Sequence, residues 1–280
     1  MTSSSLAIDV SKVSGDQRVS IADSVAIEEP LEIQLSYPSA EGAAAKSVSI
    51  TMRTPGDDAE LAMGFLFTEG IIRSGKQVTS VEHCGATAPE SGLRNIIRVK
   101  LKPGVEVDLG RLQRHFYTTS SCGVCGKASL DALRITGQES LADKGTTFRR
   151  DVIVALPDRL RAKQQVFTKT GGLHAAAVFD QNGEIFFVQE DVGRHNAVDK
   201  VVGALLFEDM LPANKLGLIV SGRASFELMQ KTLVAGIPLL AAVSAPSSLA
   251  VQTAKEFDMT LIGFLRNGKF NIYSGAQRVD

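Results

Sequence analysis

Tryptophan is absent from the 280 residues, and tyrosine and cysteine occur only three times each. An odd number of cysteines, two of them (Cys122 and Cys125) close together in a C-x-x-C, is a poor disulfide framework and points to a reducing compartment. The cytoplasm is the expected location. Long apolar runs are also missing: the longest, from Leu233 to Ala245, is broken by Gly236 and Pro238 and is too short to cross a bilayer. The opening Met1-Thr2-Ser3-Ser4-Ser5 has neither a basic nor an apolar region, so no secretory signal is expected. Net charge is −1 and the isoelectric point is about 6.5, which removes any global attraction to nucleic acid or anionic lipid. Neither is expected as a partner, and an anionic ligand has to be held by local groups. What is present is ordinary for a globular chain: 44% apolar and 22% charged residues, enough for one large α/β unit or two modest domains.

Residues 1 to about 20 are polar and Ser-rich and read as a mobile tail. An N-terminal α+β subdomain is expected over 21–117. Glu32 to Tyr37 and Ser47 to Met52 alternate with a period of two and read as paired strands around a loop at 38–45. Asp57 and Asp58 are expected to cap a helix from about Ala59 to Glu69, stopped by Gly70. Val78 to Glu82 and Ile96 to Leu101 are further strands. A loop carrying the C-x-x-C follows, then a helix from about Lys127 to Ile135. Over 118–280 an α/β domain is expected. Asn182-Gly183 signals a type I′ hairpin, and strand–helix alternation from Leu216 to Leu265 implies parallel pairing through right-handed crossovers, with Phe270 to Tyr273 as an antiparallel partner.

The dithiol is the obvious reactive group. A thiolate attacks sulfur, and in a C-x-x-C one cysteine stabilises the other's charge, helped by Lys127 and the start of the following helix. Three other readings stay open. Structural zinc needs two more ligands, for which His83, Cys84 and His115 are candidates, but there is no second C-x-x-C. Thioredoxin-like exchange wants a βαβ context in place of this Thr- and Ser-rich lead-in. Two unreactive loop cysteines are the plainest case. A zinc deaminase fails, because the required His-x-Glu and Pro-Cys-x-x-Cys are missing.

Ser221-Gly222-Arg223-Ala224-Ser225 and Ser244-Ala245-Pro246-Ser247-Ser248 lie where a buried strand gives way to a helix. Free backbone N–H groups, hydroxyls and the Arg223 fork suit an anion there. Glu190-Asp191-Val192-Gly193-Arg194-His195-Asn196 is a third such turn. Capping alone would also select Ser and Gly, but three turns on one sheet edge favour a nucleotide or pterin phosphate. His174 after Thr170-Gly171-Gly172 either approaches a ligand or is structural, and His195 either caps its helix or contacts ligand. His83 and His115 read as surface or structural, Cys84 as a buried or idle thiol, and Arg149 and Arg150 as a solvated face.

These residues together resemble the FdhD family of formate dehydrogenase accessory sulfurtransferases. The resemblance rests on Met52 to Asp58, Ser120 to Lys127, Thr170 to His174, Glu190 to Lys200, Ser221 to Glu227, Ser244 to Ala250, and Gly263 to Arg266 with Phe270-Asn271. It runs from about residue 50 to the end, with a weaker lead-in from about residue 25. It implies a sulfurtransferase that takes sulfur from a cysteine desulfurase as a persulfide on Cys122. The acceptor is the molybdenum bis-guanine-dinucleotide cofactor, which is installed in formate dehydrogenase. Cys125 matches the second cysteine, and Phe264-Leu265-Arg266-Asn267-Gly268-Lys269 matches the family's cofactor-binding stretch. Ser221, Gly222, Arg223, Ser244, His195 and His174 complete the expected site, with no intrinsic metal. A homodimer is implied, with a cytidine-deaminase-like three-layer sandwich built on a mixed sheet. The alternative is a chaperone that shields the cofactor without moving sulfur.

Overall fold

The computed structural model describes residues 4–39, 42–89, 91–105, 133, 140–141 and 145–280. The first element departs from the expected tail. Strands β1 (Ser5–Ser14) and β2 (Gln17–Ala26) pair in register as an antiparallel hairpin, turning at Gly15-Asp16 with Gly15 at φ 57°. Leu6, Ile8 and Val10 alternate along β1 and face Val25, Asp23 and Ile21 of β2. That period of two was hidden by the intervening Ser and Asp residues.

A four-stranded sheet follows, made of β3 (Glu29–Ser39), β4 (Gly42–Arg53), β5 (Val78–Cys84) and β6 (Ile96–Leu101) in the order β4-β3-β6-β5. The β3–β4 pair is the expected one, but it runs on into the 38–45 loop. Leu31, Ile33 and Leu35 of β3 and Ile97, Val99 and Leu101 of β6 are buried under Leu61, Ala62 and Leu66 of helix α1 (Asp58–Thr68).

The larger sheet has six strands: β7 (His174–Phe179), β8 (Ile185–Asp191), β9 (Gly217–Val220), β10 (Leu239–Ala242), β11 (Thr260–Arg266) and β12 (Lys269–Ser274). Their order is β12-β11-β10-β9-β7-β8. The central β9, β10 and β11 are parallel and β7, β8 and β12 are joined antiparallel. Every residue of β9 and β10 is buried, as a sheet covered on both faces requires. Helices α2 (Arg150–Lys163) and α3 (Gln165–Thr170) precede β7; Ile153, Leu156 and Leu160 of α2 pack on Ala175, Ala177, Ile219 and Ile262. On the opposite face α4 (Arg194–Phe207), α5 (Phe226–Val234) and α6 (Ser248–Glu256) pack against Val178, Leu218, Val220 and Leu240. The expected mixed sheet is therefore present, with helices on both faces and a smaller α+β sheet beside it.

The two sheets meet through α1 and α4, which cross at glycine contacts. A Cβ on Gly64 would lie 1.8 Å from the Asp199 carbonyl oxygen, and one on Gly203 would lie 1.9 Å from that of Glu60. No other residue fits either position without moving a backbone.

Two turns differ in kind. Asn267-Gly268 has both residues at positive φ, as a type I′ turn needs. Between β7 and β8 only Gly183 does, because the Asp180 carboxylate accepts the N–H groups of Asn182 and Glu184 and builds a longer loop. The expected C-x-x-C loop and the helix at 127–135 lie outside the described residues, apart from Leu133, which is helical and buried in the α4–α6 core. Among the described residues no helix is long and apolar enough to cross a membrane.

Candidate functional site

The carboxyl ends of β8, β9, β10 and β11 and the amino end of β7 share one edge of the larger sheet, and the three turns singled out in the sequence converge there. Backbone hydrogen bonds stitch the 221–225 and 244–248 turns to each other and to the end of β11. Ser244 N–H donates to Gly222 O (3.3 Å), Ala224 N–H to Ala245 O (3.2 Å), and Phe264 N–H to Ser244 O (3.0 Å). Ser221 joins this edge to β7: its hydroxyl accepts Ala175 N–H at 2.9 Å, while its own N–H donates to Ala175 O at 2.9 Å. His174 stands over Gly222, where a Cβ would come within 3.3 Å of Nδ1. The structure thus brings together His174, Ser221, Gly222, Ser244 and Phe264.

Two helices point their amino ends at this edge without a side-chain cap. The N-cap of α4 is Gly193, so His195 does not cap. The N-cap of α5 is Ser225, whose hydroxyl makes no cap bond and lies 3.5 Å from His195 Nε2. Ser247, by contrast, does cap α6, accepting Ala250 N–H at 3.2 Å. Capping therefore explains Ser247, whereas Ser225 bonds to the Glu227 carboxylate, which also accepts its own N–H in the first turn of α5 and so already occupies the positive end of that helix. Arg194 opens α4, and its Nε is buried with no hydrogen-bond partner among the described residues. A buried guanidinium N–H without an acceptor is costly unless a ligand completes it.

The electrostatics match that geometry. Burial, then the Arg194 charge, pushes the His174 imidazole below its ordinary value. Burial, reinforced by Arg194 and Lys231, depresses His195 to about 4, against a weaker pull from Glu227, whose carboxylate lies 3.9 Å away. Both imidazoles are neutral near pH 7 and can each donate one N–H to an anion.

Of the expected cofactor-binding stretch, Leu265 is fully buried in the core and offers only its backbone. Phe264 sits at φ 53°, a strained conformation for an aromatic residue, with the Arg266 guanidinium 5.8 Å from its ring. Arg266, Asn267, Gly268 and Lys269 are exposed at and beside the β11–β12 turn, and Arg223 is exposed on the β9–α5 turn.

The scaffold beneath the site was not foreseen. Asp191, fully buried, pairs with Lys200 Nζ at 2.9 Å and accepts the N–H groups of Thr54 and Gly193 and the Asn196 amide. Lys200 also donates to Thr54 O at 2.9 Å, and the Asn196 amide to Met52 O at 2.8 Å. The one available signal was a lysine inside the apolar run of α4, since a buried lysine needs a partner. Asp58 is not the expected cap either. It is held by a two-point bond from Arg53 (3.0 and 2.9 Å) and lies 2.9 Å from His83 Nε2. Asp57 occupies the N-cap position of α1 at φ 52° without a side-chain cap bond. Cys84 is a half-buried free thiol ending β5, and Arg149 is solvated and paired with Asp151. Cys122, Cys125 and His115 lie outside the described residues.

Comparison with known proteins sets this site in a family. The family described as FdhD/NarQ matches residues 26–280. The sulfur carrier protein FdhD of Streptomyces coelicolor is 53% identical over 259 residues, covering 92% of this chain and 89% of the relative. The protein of that name from Mycolicibacterium paratuberculosis is 50% identical over 272 residues (96% and 97%), and that from Saccharolobus solfataricus 43% identical over 271 (97% and 96%). A crystal structure of a candidate formate dehydrogenase accessory protein from Desulfotalea psychrophila superposes with a TM-score of 0.74 over 99% of both chains at 24% identity, a likeness of fold. On the length and closeness of these matches, the chain belongs to the FdhD/NarQ family.

Proposed function

We propose that this protein is a sulfur carrier for formate dehydrogenase maturation. In this reading Cys122 takes up sulfane sulfur and gives it to a molybdenum bis-guanine-dinucleotide cofactor held at the edge of the larger sheet. The Cys122 thiolate attacks the outer sulfur of a cysteine desulfurase persulfide and the donor cysteine leaves as thiolate; the terminal sulfur of the new persulfide later passes to reduced molybdenum, which supplies the two electrons that make it sulfide while Cys122 leaves as thiolate. Cys125 either favours the Cys122 thiolate or relays the sulfur. The molybdenum cofactor is cargo and acceptor, and the protein's own residues bind and orient it. A cytoplasmic homodimer with a sandwich of the cytidine deaminase kind belongs to the same reading.

The single observation that carries the nucleotide half is the polar edge itself. The amino end of α4 lacks a side-chain cap, and a buried Arg194 Nε lies near two neutral histidines with no acceptor among the described residues. Diphosphate oxygens supply the acceptors those groups lack. The strained Phe264, with Arg266 beside its ring, suits a planar guanine or pterin. Support for the sulfur half comes from the name carried by relatives about half identical to this chain.

Cys122→Ala separates the two halves. The variant is expected to bind the guanylated cofactor as the wild type does while leaving formate dehydrogenase inactive in a cell whose own copy is deleted. Full formate dehydrogenase activity with Cys122→Ala rejects the carrier role.

A further inference from the structure

The turn that presents Arg194 and His195 to the ligand is held from its own sheet by Asp191, the last residue of β8, which accepts the Asn196 amide and pairs with Lys200. Thr54, from the end of β4 in the other sheet, meets it at three points. Its N–H donates to Asp191 Oδ2 at 3.1 Å, its hydroxyl accepts Val192 N–H at 3.2 Å, and its carbonyl accepts Lys200 Nζ at 2.9 Å. Asp191 and Lys200 are 0% and 1% exposed, so no water replaces these bonds. Asp191 Oδ1 in turn accepts Gly193 N–H at 2.8 Å, fixing the residue from which α4 starts. The chain of contacts therefore runs from Thr54 through Asp191 and Val192 to the backbone on either side of Gly193.

We infer that Thr54 and Lys200 are positioning residues for anion binding, so that the N-terminal sheet sets the aim of Arg194 and His195 and is a working part of the site. The inference rests on the nucleotide reading of the sheet edge. Preorganised donors bind an anion without a reorganisation cost, whereas a turn free to relax does not. Thr54→Val is the informative change. It keeps the shape and the backbone bonds and removes only the hydroxyl that holds Val192 N–H.

The test is calorimetric binding of GDP to the full-length protein, with circular dichroism as the check on folding. The wild type binds GDP, and Thr54→Val binds it about fivefold more weakly, the worth of one hydrogen bond. NMR titration of His195 adds a readout that loss of stability alone does not move: in Thr54→Val its pKa rises from about 4 toward the ordinary histidine value as the turn drifts. Lys200→Arg keeps more affinity than Lys200→Met. Ile153→Val, which loosens the core on the far face of the larger sheet, leaves GDP affinity unchanged. Equal affinity and an unmoved His195 in a folded Thr54→Val protein would overturn the positioning role while leaving the nucleotide reading intact. A wild type that does not bind GDP removes both.

Discussion

His195 sits half-exposed between Arg194 on its own helix and Glu227 and Lys231 on α5, and its low pKa makes two measurable consequences. The unfolded chain takes up a proton on this side chain near 6.5 and the folded chain only near 4, so between those values the unfolded state binds more protons. This residue's contribution to stability is present above pH 6.5 and is lost as the pH falls toward 4. In urea unfolding across that range, His195→Gln is expected to show a flatter pH dependence than the wild type; identical slopes would remove the assignment. The second consequence concerns the ligand. An anion beside the imidazole favours its charged form, so if the proposed site holds GDP, GDP is expected to raise the His195 pKa and to bind more tightly on mild acidification.

Among the elements, the α1–α4 crossing is the least forgiving. Gly64→Ala drives a methyl group into the Asp199 carbonyl, a backbone atom that cannot step aside, and should cost about 3 kcal/mol in urea unfolding. Neither helix announces this in the sequence, because Gly64 and Gly203 are explained only by each other's helix. The elements that were legible are those with a strong local period: the alternation of β3 and β4, the apolar runs of β9 and β10, and the spacing of Val198, Val201, Val202 and Leu205 on α4. Helix α2 was not, since Pro157 inside it reads as a breaker and only the core it covers offsets the lost bond. The β1–β2 hairpin was lost in a Ser-rich composition. The polar edge was legible as three turns, since strand ends and caps are local. Its scaffold was not, because Asp191 and Thr54 are far apart along the chain and nothing in either segment names the other.

Across the whole molecule, buried charge joins what the two sheets could otherwise do separately. Besides Asp191 and Lys200, Lys231 on α5 reaches Asp199 on α4 at 2.9 Å and both Thr68 and Glu69 at the end of α1, at 2.9 and 3.1 Å. Burial raises Asp199 to about 6 even with that ammonium beside it. Lys231→Met leaves the carboxylate uncompensated and is expected to destabilise the protein by about 3–5 kcal/mol, with part recovered in the double variant Lys231→Met/Asp199→Leu. Urea unfolding of the three proteins checks this; a harmless single change would mean that the cluster does not hold α1 to the larger sheet. The proposed function pairs the polar sheet edge with the dithiol of the same chain, and the account stands on that dithiol moving sulfur. The most direct test is the intact mass of the protein after incubation with a cysteine desulfurase and cysteine. A reducible gain of about 32 Da that disappears in Cys122→Ala and persists in Cys125→Ala is the predicted result. An unmodified chain, or a gain that survives loss of Cys122, would contradict the account and leave a protein that shelters the cofactor without carrying sulfur on this residue.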